Sequence, residues 1–525
     1  MTNNFLSGNE VLGIEFGSTR IKAVLIDESY NTVASGSYTW ENKFENGYWT
    51  YDLKDVVYGM QSAYADLNNN VFKIYGSNIK NISALGISAM MHGYLPFDDK
   101  GNQLAPFRTW RNTTTYEAAT ELTKLFNFNI PQRWSIAHLY QAILNNESHV
   151  EKINFITTLA GYVHYLLSGE KVVGVGEASG MFPIDSNTGN YDENMLKKFS
   201  SIDSVKKYKW NIESVLPRVL SAGESGGRLT ENGAKLIDPS GNLQPGAVMC
   251  PPEGDAGTGM VATNSVAEKT GNVSAGTSIF SMVVLEKQLK NVYEEIDIVT
   301  TPNGKPVAMV HCNNCCTDLD YWVNLFYRFA QIGGFDIDKS NVYDILYQEA
   351  LNGDKDCGGV LTYNYFSGEP VSHVEQGRPV VARSQNAKFN LANFMRSNIY
   401  SALATLKIGM EILDKENVKI DCLTGHGGLF KTKYVGQKLL AGAVNCPVTV
   451  MKTAGEGGAW GIAVLAAYSK NSKNSQLSDY LNNFVFSNCE SVTENPNTDD
   501  VAGFEEYIEK YKNGLEVEKL AGELI

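Results

Sequence analysis

The pattern that most constrains this chain is a strand, a corner of small residues and a second strand, written twice. It appears first in GIEFGSTRIKAVLID, Gly13 to Asp27, and again in NVSAGTSIFSMVVLE, Asn272 to Glu286. In each, two apolar runs of strand character flank a three-residue corner, Gly17-Ser18-Thr19 or Gly276-Thr277-Ser278. Glycine permits a tight turn and a close approach of another group to the backbone. The hydroxyls add hydrogen-bond donors, so such a corner suits something small and oxygen-rich. Glu15 stands beside the first corner. It would repel a bare phosphate, but it suits a phosphate that arrives with Mg²⁺, a hard cation held by oxygen ligands. An ordinary hairpin would read the same from one corner alone. Two corners, far enough apart to sit on separate domains, point to a duplicated fold with a phosphate corner on each half.

Size and charge set the frame for this reading. A chain of 525 residues is long for one core, and two large domains are the simplest division. At 43% hydrophobic and 19% charged it has the composition of an ordinary globular protein. The formal charge of −14 disfavours non-specific binding to DNA or RNA, which needs a basic footprint. The N-terminal MTNNFLSGNE has neither a basic start nor an apolar core, so no secretory leader is expected. No apolar run approaches the roughly 18–20 residues of a membrane span. Eight cysteines over this length do not make a disulfide scaffold, and the cytoplasm is the expected compartment. The cluster HCNNCC, with His311, Cys312, Cys315 and Cys316, contains half of a zinc motif but lacks a second half at the usual spacing. Buried thiols near a strand end are expected there.

The organisation along the chain agrees with two α/β halves. Strands are expected at Val11 to Phe16, Ile21 to Ile26 and Val33 to Thr39, followed by a helix in DLKDVVYGMQSAYADL and a strand in ISALGISAM. SIAHLYQAILNNES and FITTLAGYVHYLLSGE read as helical. NLQPGAVMCPPEGDAGTGM reads as a turn, a short strand and a glycine-rich loop. A third glycine patch, LTGHGGLFKTKYVGQKLL, follows the strand-like VKIDCL. CPVTVMKTAGEGGAWGIAVLAAY reads as a strand, a loop and a helix whose small residues allow close packing. The polar SKNSKNSQ and the charged helix after it read as peripheral.

Eight segments in order carry a resemblance. GIEFGSTRIK, AMMHGYLPFD, FRTWRNTTT, PPEGDAGTG, GNVSAGTSIF, YFSGEP, GHGGLFKT and GEGGAWGIA together resemble the FGGY family of carbohydrate kinases over essentially the whole length. Within it the pattern is most similar to the kinases of five-carbon ketoses, the xylulokinases and ribulokinases. The resemblance implies an α/β chain of two actin/hexokinase-like (ribonuclease H-like) domains. Each would have a mixed five-stranded sheet, with ATP and sugar meeting in a cleft between them. The expected domains are 1–262, with the first phosphate loop, the sugar segments and the catalytic acid, and 263–470, with the second phosphate loop and the adenosine site. Residues 471–525 would pack on the second. A small-molecule ketopentose, D-xylulose or L-ribulose, would be the partner, with no nucleic acid and no membrane. A homodimer is expected on the resemblance alone.

The resemblance also assigns residues. Asp255 in EGDAGTG would be the general base that takes the hydroxyl proton; a helix-capping aspartate would look the same. Glu15, with Asp255, would serve Mg²⁺ where the family pattern has aspartate. Gly17, Ser18 and Thr19, with Lys22 or Arg20, and Gly276 and Thr277 would hold the phosphates of ATP. Gly427, Gly428, Gly458 and Ala459 would admit the adenosine. Met91, His92, Trp110 and Asn112 would face the sugar, His92 donating to a hydroxyl. Asn112 replaces an aspartate usual in xylulokinases, which keeps L-ribulose or another ketopentose in play beside D-xylulose; a kinase for another ketose or a polyol is a separate alternative. Two other readings are a sugar sensor of the same fold without transfer activity and a chaperone-like ATPase. The second is disfavoured by the Met-His-Gly and Trp segments.

Overall fold

The computed structural model describes residues 6–525, so the first five residues of MTNNFLSGNE lie outside the described residues. The chain forms two compact units. The first runs to Val266 and adds Asp297–Val307 and Glu456–Asn488; the second holds Ala267–Ile296, Ala308–Gly455 and Cys489–Ile525. These boundaries differ from the expected ones at the C-terminal end. Helix Gly457–Lys470 packs within the first compact unit, and the 471–525 tail is shared out at residue 488. Glycines explain the helix's place. A Cβ on Gly461 would strike the Thr258 carbonyl, and one on Gly13 or Gly86 would strike the helix backbone at Ala459 or Ile462. Small residues on both partners let the helix lie directly on the sheet.

In the first unit Val11–Phe16, Arg20–Ile26 and Thr32–Thr39 form an antiparallel meander. Ala84–Ala89 adds parallel to Val11–Phe16, and Val248–Met249 and Glu253–Gly254 pair in turn with Ala84–Ala89. The sheet therefore has six strands rather than five. Ile14, Phe16, Ile21, Leu25, Leu85 and Ile87 are fully buried in its core, each contributing about 1.5–3 kcal/mol. Helix Leu53–Tyr75 starts where the acidic cap predicted, with the Asp52 carboxylate accepting the Lys54 N–H, and ends on Gly76 at φ 68°. FITTLAGYVHYLLSGE is not all helix: Phe155–Thr157 pairs with Leu95–Phe97, and only Leu159–Ser168 is helical, behind the Thr158 cap. The aromatic and β-branched Phe-Ile-Thr found a strand partner that the sequence did not show.

The second sheet has seven strands in the order Ile296–Thr300, Pro306–Cys312, Ile279–Val284, Thr270–Ala275, Cys422–Gly427, Val448–Met451 and Ser491–Glu494. Five of these, from Pro306–Cys312 to Val448–Met451, retrace the path of the first sheet. The duplication is thus a five-strand core, widened differently in each half. Cys312, at the end of strand Pro306–Cys312, and Cys315 and Cys316 just beyond it are buried free thiols. The terminal helix Thr498–Leu524 is not peripheral. Phe504, Tyr507 and Tyr511 are buried, Tyr511 stacks on Tyr363 at 4.6 Å, and the buried Glu518 accepts the Arg378 N–H at 2.7 Å. Among the described residues no helix is long and apolar enough to cross a membrane.

Candidate active site

Four segments of the first unit converge on two carboxylates. Glu15 lies on the central strand, opposite Lys22 on one side and Ser88 on the other. One of its oxygens accepts the Ala459 N–H at 3.1 Å, an amide in the first turn of helix Gly457–Lys470 that has no partner within the helix. A Cβ on Gly458 would collide with that carboxylate and with Thr258 Oγ1, so only glycine lets the helix end come so near. Burial first, and then the negative charge of Asp255, push the Glu15 carboxyl up to about 7. The Ala459 amide and then the Lys22 charge oppose that rise.

Asp255 is not in a loop. It opens helix Asp255–Ala262, with Gly254 as the cap, directly after the short strand Glu253–Gly254. Its carboxylate accepts the Met91 N–H at 3.1 Å and the Ala256 N–H at 2.9 Å. Burial raises its pKa and these amides oppose the rise. Met91 therefore bears on the acid through its backbone, while its side chain is packed.

Sequence reasoning missed two further acids here. Glu253 is buried and accepts the N–H groups of Gly176 (3.3 Å) and Glu177 (2.8 Å); burial pushes its carboxyl up to about 8. Glu177 is fully buried as well, its carboxyl raised by burial and then by the charges of Glu253 and Asp255. Their signal was present in EGD and GVGEASG: an acid set among glycines and small residues, where a carboxylate has room.

His92 is buried at φ 72°, stacked on Trp134 at 6.3 Å, with Nδ1 3.3 Å from the Gly180 carbonyl. A carbonyl only accepts, so Nδ1 carries the proton. Burial and the Arg133 charge hold the ring well below its usual pKa. A neutral ring protonated on Nδ1 offers Nε2 as an acceptor, not as the donor expected from the sequence.

The first corner is braced by aromatic side chains. Trp40 Nε1–H donates to Gly17 O (2.8 Å), Tyr51 Oη–H to Ser18 O (2.5 Å), and Trp110 Nε1–H to Ser18 Oγ (3.2 Å). Trp110 is thus brought to the first glycine corner. Thr19 and Arg20 are exposed, whereas Lys22 Nζ donates to the Glu456 carbonyl at 2.8 Å, just before the helix that caps Glu15. Asn112 is buried against the backbone. Its Oδ1 accepts the Trp49 N–H, and its Nδ2 donates to the carbonyls of Trp49 and Thr109, at 2.8, 2.9 and 3.0 Å. A carboxylate would set charge against two carbonyls, which explains the amide without recourse to sugar preference.

In the second unit Ala275 pairs with Gly427, so the Gly276-Thr277 corner and the Gly427-Gly428 turn are neighbours. The N–H groups of Cys315 and Cys316 donate to Thr277 O and Gly276 O, both at 3.0 Å. Gly427 has φ 100° and lies against the Ala275 carbonyl, a position that any side chain would strain. Gly458 and Ala459 are not part of this cluster; they belong to the first unit, against Glu15.

Residues 10–239 match the N-terminal domain of the FGGY family of carbohydrate kinases and residues 271–470 its C-terminal domain. A xylulose kinase of Haemophilus influenzae is 21% identical over 520 residues, covering 96% of this chain and 99% of that protein. A ligand-bound xylulose kinase from Lactobacillus acidophilus superposes with a TM-score of 0.77 at 16% identity, over 97% of this chain and 98% of that one. A gluconate kinase from the same organism does equally well, at 0.77 and 17% identity over the same shares of the two chains. With both domain types matched in order across most of its length, this chain belongs to the FGGY family of carbohydrate kinases, enzymes that phosphorylate sugars with ATP.

Proposed function

We propose that this protein transfers the γ-phosphoryl group of ATP to a ketopentose, D-xylulose or L-ribulose, giving the 5-phosphate for pentose catabolism, with Asp255 as general base. The observation that carries the reading is the seat of Asp255: a carboxylate at a strand end, aimed by the Met91 and Ala256 amides and close enough to Glu15 to perturb it. Burial raises the affinity of Asp255 for a proton and so suits it to accept one from a sugar hydroxyl. Its two amide contacts keep the carboxylate oriented while the proton moves. His92 Nε2 accepts from a second hydroxyl and fixes the sugar's rotation. Trp110, half-exposed beside Ser18, screens the corner from water.

Glu15 and Asp255 are oxygen donors of the kind Mg²⁺ prefers, and the mutual repulsion that raises Glu15 is what a cation relieves. When bound there, the ion would neutralise charge on the phosphates. The backbone and hydroxyls of Gly17, Ser18 and Thr19, and separately of Gly276 and Thr277, serve as phosphate donors, with Gly427 and Gly428 admitting the nucleoside. Eight free cysteines accord with a reducing, cytoplasmic compartment.

The xylulose kinase relatives favour D-xylulose, but the equal likeness to a gluconate kinase means that fold alone does not choose the sugar. The test is coupled ADP release with Mg-ATP across D-xylulose, L-ribulose, D-ribulose, L-xylulose, glycerol and gluconate, with Asp255→Ala alongside. A ketopentose-dependent rate that falls about 10²–10⁴-fold in the variant is expected. Turnover on gluconate or glycerol alone would replace the substrate. No sugar-dependent turnover would leave the sensor reading.

A further inference from the structure

The proposed transfer uses none of the cysteines, yet two of them stand side by side at the second corner. Cys315 and Cys316 are neighbours in sequence, and their Sγ atoms lie 3.5 Å apart. Their backbone amides are the braces of that corner: Cys315 N–H donates to Thr277 O and Cys316 N–H to Gly276 O, both at 3.0 Å. A buried frame holds the pair in place. Asn364 Nδ2 donates to Cys315 O at 2.8 Å, and the N–H and Nδ2 of Asn314 donate to the buried Glu369 carboxylate at 3.2 and 3.1 Å. The hydrogen bond to Cys316 and then burial hold the Cys315 thiol well above its usual pKa. Cys316 has 7% of its surface exposed, against 1% for Cys315 and none for Cys312, and is the thiol that a small reagent reaches first. Burial makes such a reaction slow, while a second thiol in contact makes it efficient once begun.

We propose that Cys315 and Cys316 form a hydroperoxide-reactive dithiol whose closure to a disulfide opens the second corner. The Cys316 sulfur attacks one oxygen of the hydroperoxide. An S–O bond forms, the O–O bond breaks, and the other oxygen leaves with the thiol proton as an alcohol, or as water from hydrogen peroxide. The Cys315 sulfur, already in contact, then attacks the Cys316 sulfur. The S–S bond forms, the S–O bond breaks, and water leaves with the second thiol proton. The two thiols are oxidised and the peroxide is reduced. Bringing the sulfurs from 3.5 Å into bonding distance closes a small ring through the Cys315–Cys316 peptide and twists it. The Cys316 N–H that holds Gly276 O and the Cys315 carbonyl that Asn364 holds both belong to that peptide, so both bonds are broken or weakened together. A thiol reductant resets the pair. The dithiol rests on these contacts alone; its effect on ATP rests on the function proposed above.

Hydrogen peroxide added to the whole protein should lower its mass by a pair of hydrogen atoms, and peptide mapping should place the new disulfide between residues 315 and 316. Hydrogen exchange at the Cys316 amide should quicken about tenfold or more on oxidation. KM for ATP should rise about tenfold while kcat changes by less than about twofold. A thiol reductant should reverse all three changes. Cys316→Ser, which keeps the amide but not the sulfur, should lose the mass change and the exchange response, whereas Cys489→Ser, which removes a more exposed thiol, should keep both. A treated protein that retains both thiols, or that closes a disulfide through Cys312 instead, overturns the inference. So does a disulfide between 315 and 316 that leaves exchange at the Cys316 amide unchanged. A disulfide that speeds this exchange without moving KM for ATP supports the dithiol and takes the second corner out of the nucleotide site.

Discussion

The two glycine corners occupy the same place in the two halves of the fold, yet their surroundings differ. In the first, position 15 is an acid whose carboxylate meets a helix N-terminus, and the turn is braced by Trp40, Tyr51 and Trp110. In the second, the corresponding strand position is Ser274, paired with Phe280 and His426, and the turn is braced by two backbone amides, of Cys315 and Cys316. One corner carries charge and the other carries none. The duplicated scaffold thus carries different chemistry in its two halves: a buried carboxylate beside the first corner and a neutral hydroxyl at the matching position of the second. The difference teaches that one backbone shape can be kept while its chemistry changes: a turn is held by a few hydrogen bonds of any source, whereas a buried carboxylate needs amides aimed at it.

The sharpest break of this comparison would be to remove one side chain from each corner. Glu15→Ala should lower kcat by about 10²–10³-fold, the size typical of losing a preorganised electrostatic group, while Ser274→Ala should stay within a few-fold of wild type. Equal losses at the two positions would mean that the halves share the charge work.

A pH titration sharpens it further. In the ligand-free protein the Glu15 carboxyl is raised to about 7, so the folded state keeps its proton longer than the unfolded chain does. Stability from this group is therefore present below the ordinary glutamate pKa of about 4.5 and is lost as pH rises to about 7. Chemical denaturation should show wild type losing about 3 kcal/mol relative to Glu15→Gln over that window, with no further divergence above it. Ser274→Ala, with no titrating group, should run parallel to wild type throughout. Parallel curves for Glu15→Gln would remove the buried acid from the account.

The smallest effect tests the neutral cradle. A Cβ on Gly276 would meet nothing within 4 Å, so the fold does not require glycine there. Gly276→Ala should keep its melting temperature, yet raise KM for ATP about tenfold if a phosphate approaches the backbone at this point, a loss of about 1.4 kcal/mol. An unchanged KM would take the second corner out of the nucleotide site.

Much of this was legible in the chain itself. The strands around both corners, the Asp52-capped helix and the glycine turn at 427 follow from local patterns, and they appear where expected. The errors share a cause. Phe155–Thr157 has the composition of either a helix start or a strand, and only its pairing with Leu95–Phe97 decided. The terminal helix reads as charged because its acids and lysines outnumber its tyrosines, but Tyr507 and Tyr511 enter the core. Asn112 stands at a substrate position by family pattern, yet its amide is saturated by the Trp49 and Thr109 backbone.

By itself the sequence determined the strands that flank the two corners, the Asp52-capped helix and the glycine turn at 427, because periodicity, turn chemistry and residue type act over a few neighbouring residues. Only the tertiary structure decided what the acids meet. Glu15 accepts a proton-bearing amide from Ala459, 444 residues away, and Asp255 one from Met91, 164 residues away. Burial and the charge beside it, both consequences of long-range packing, turn an ordinary glutamate into one that titrates near neutrality.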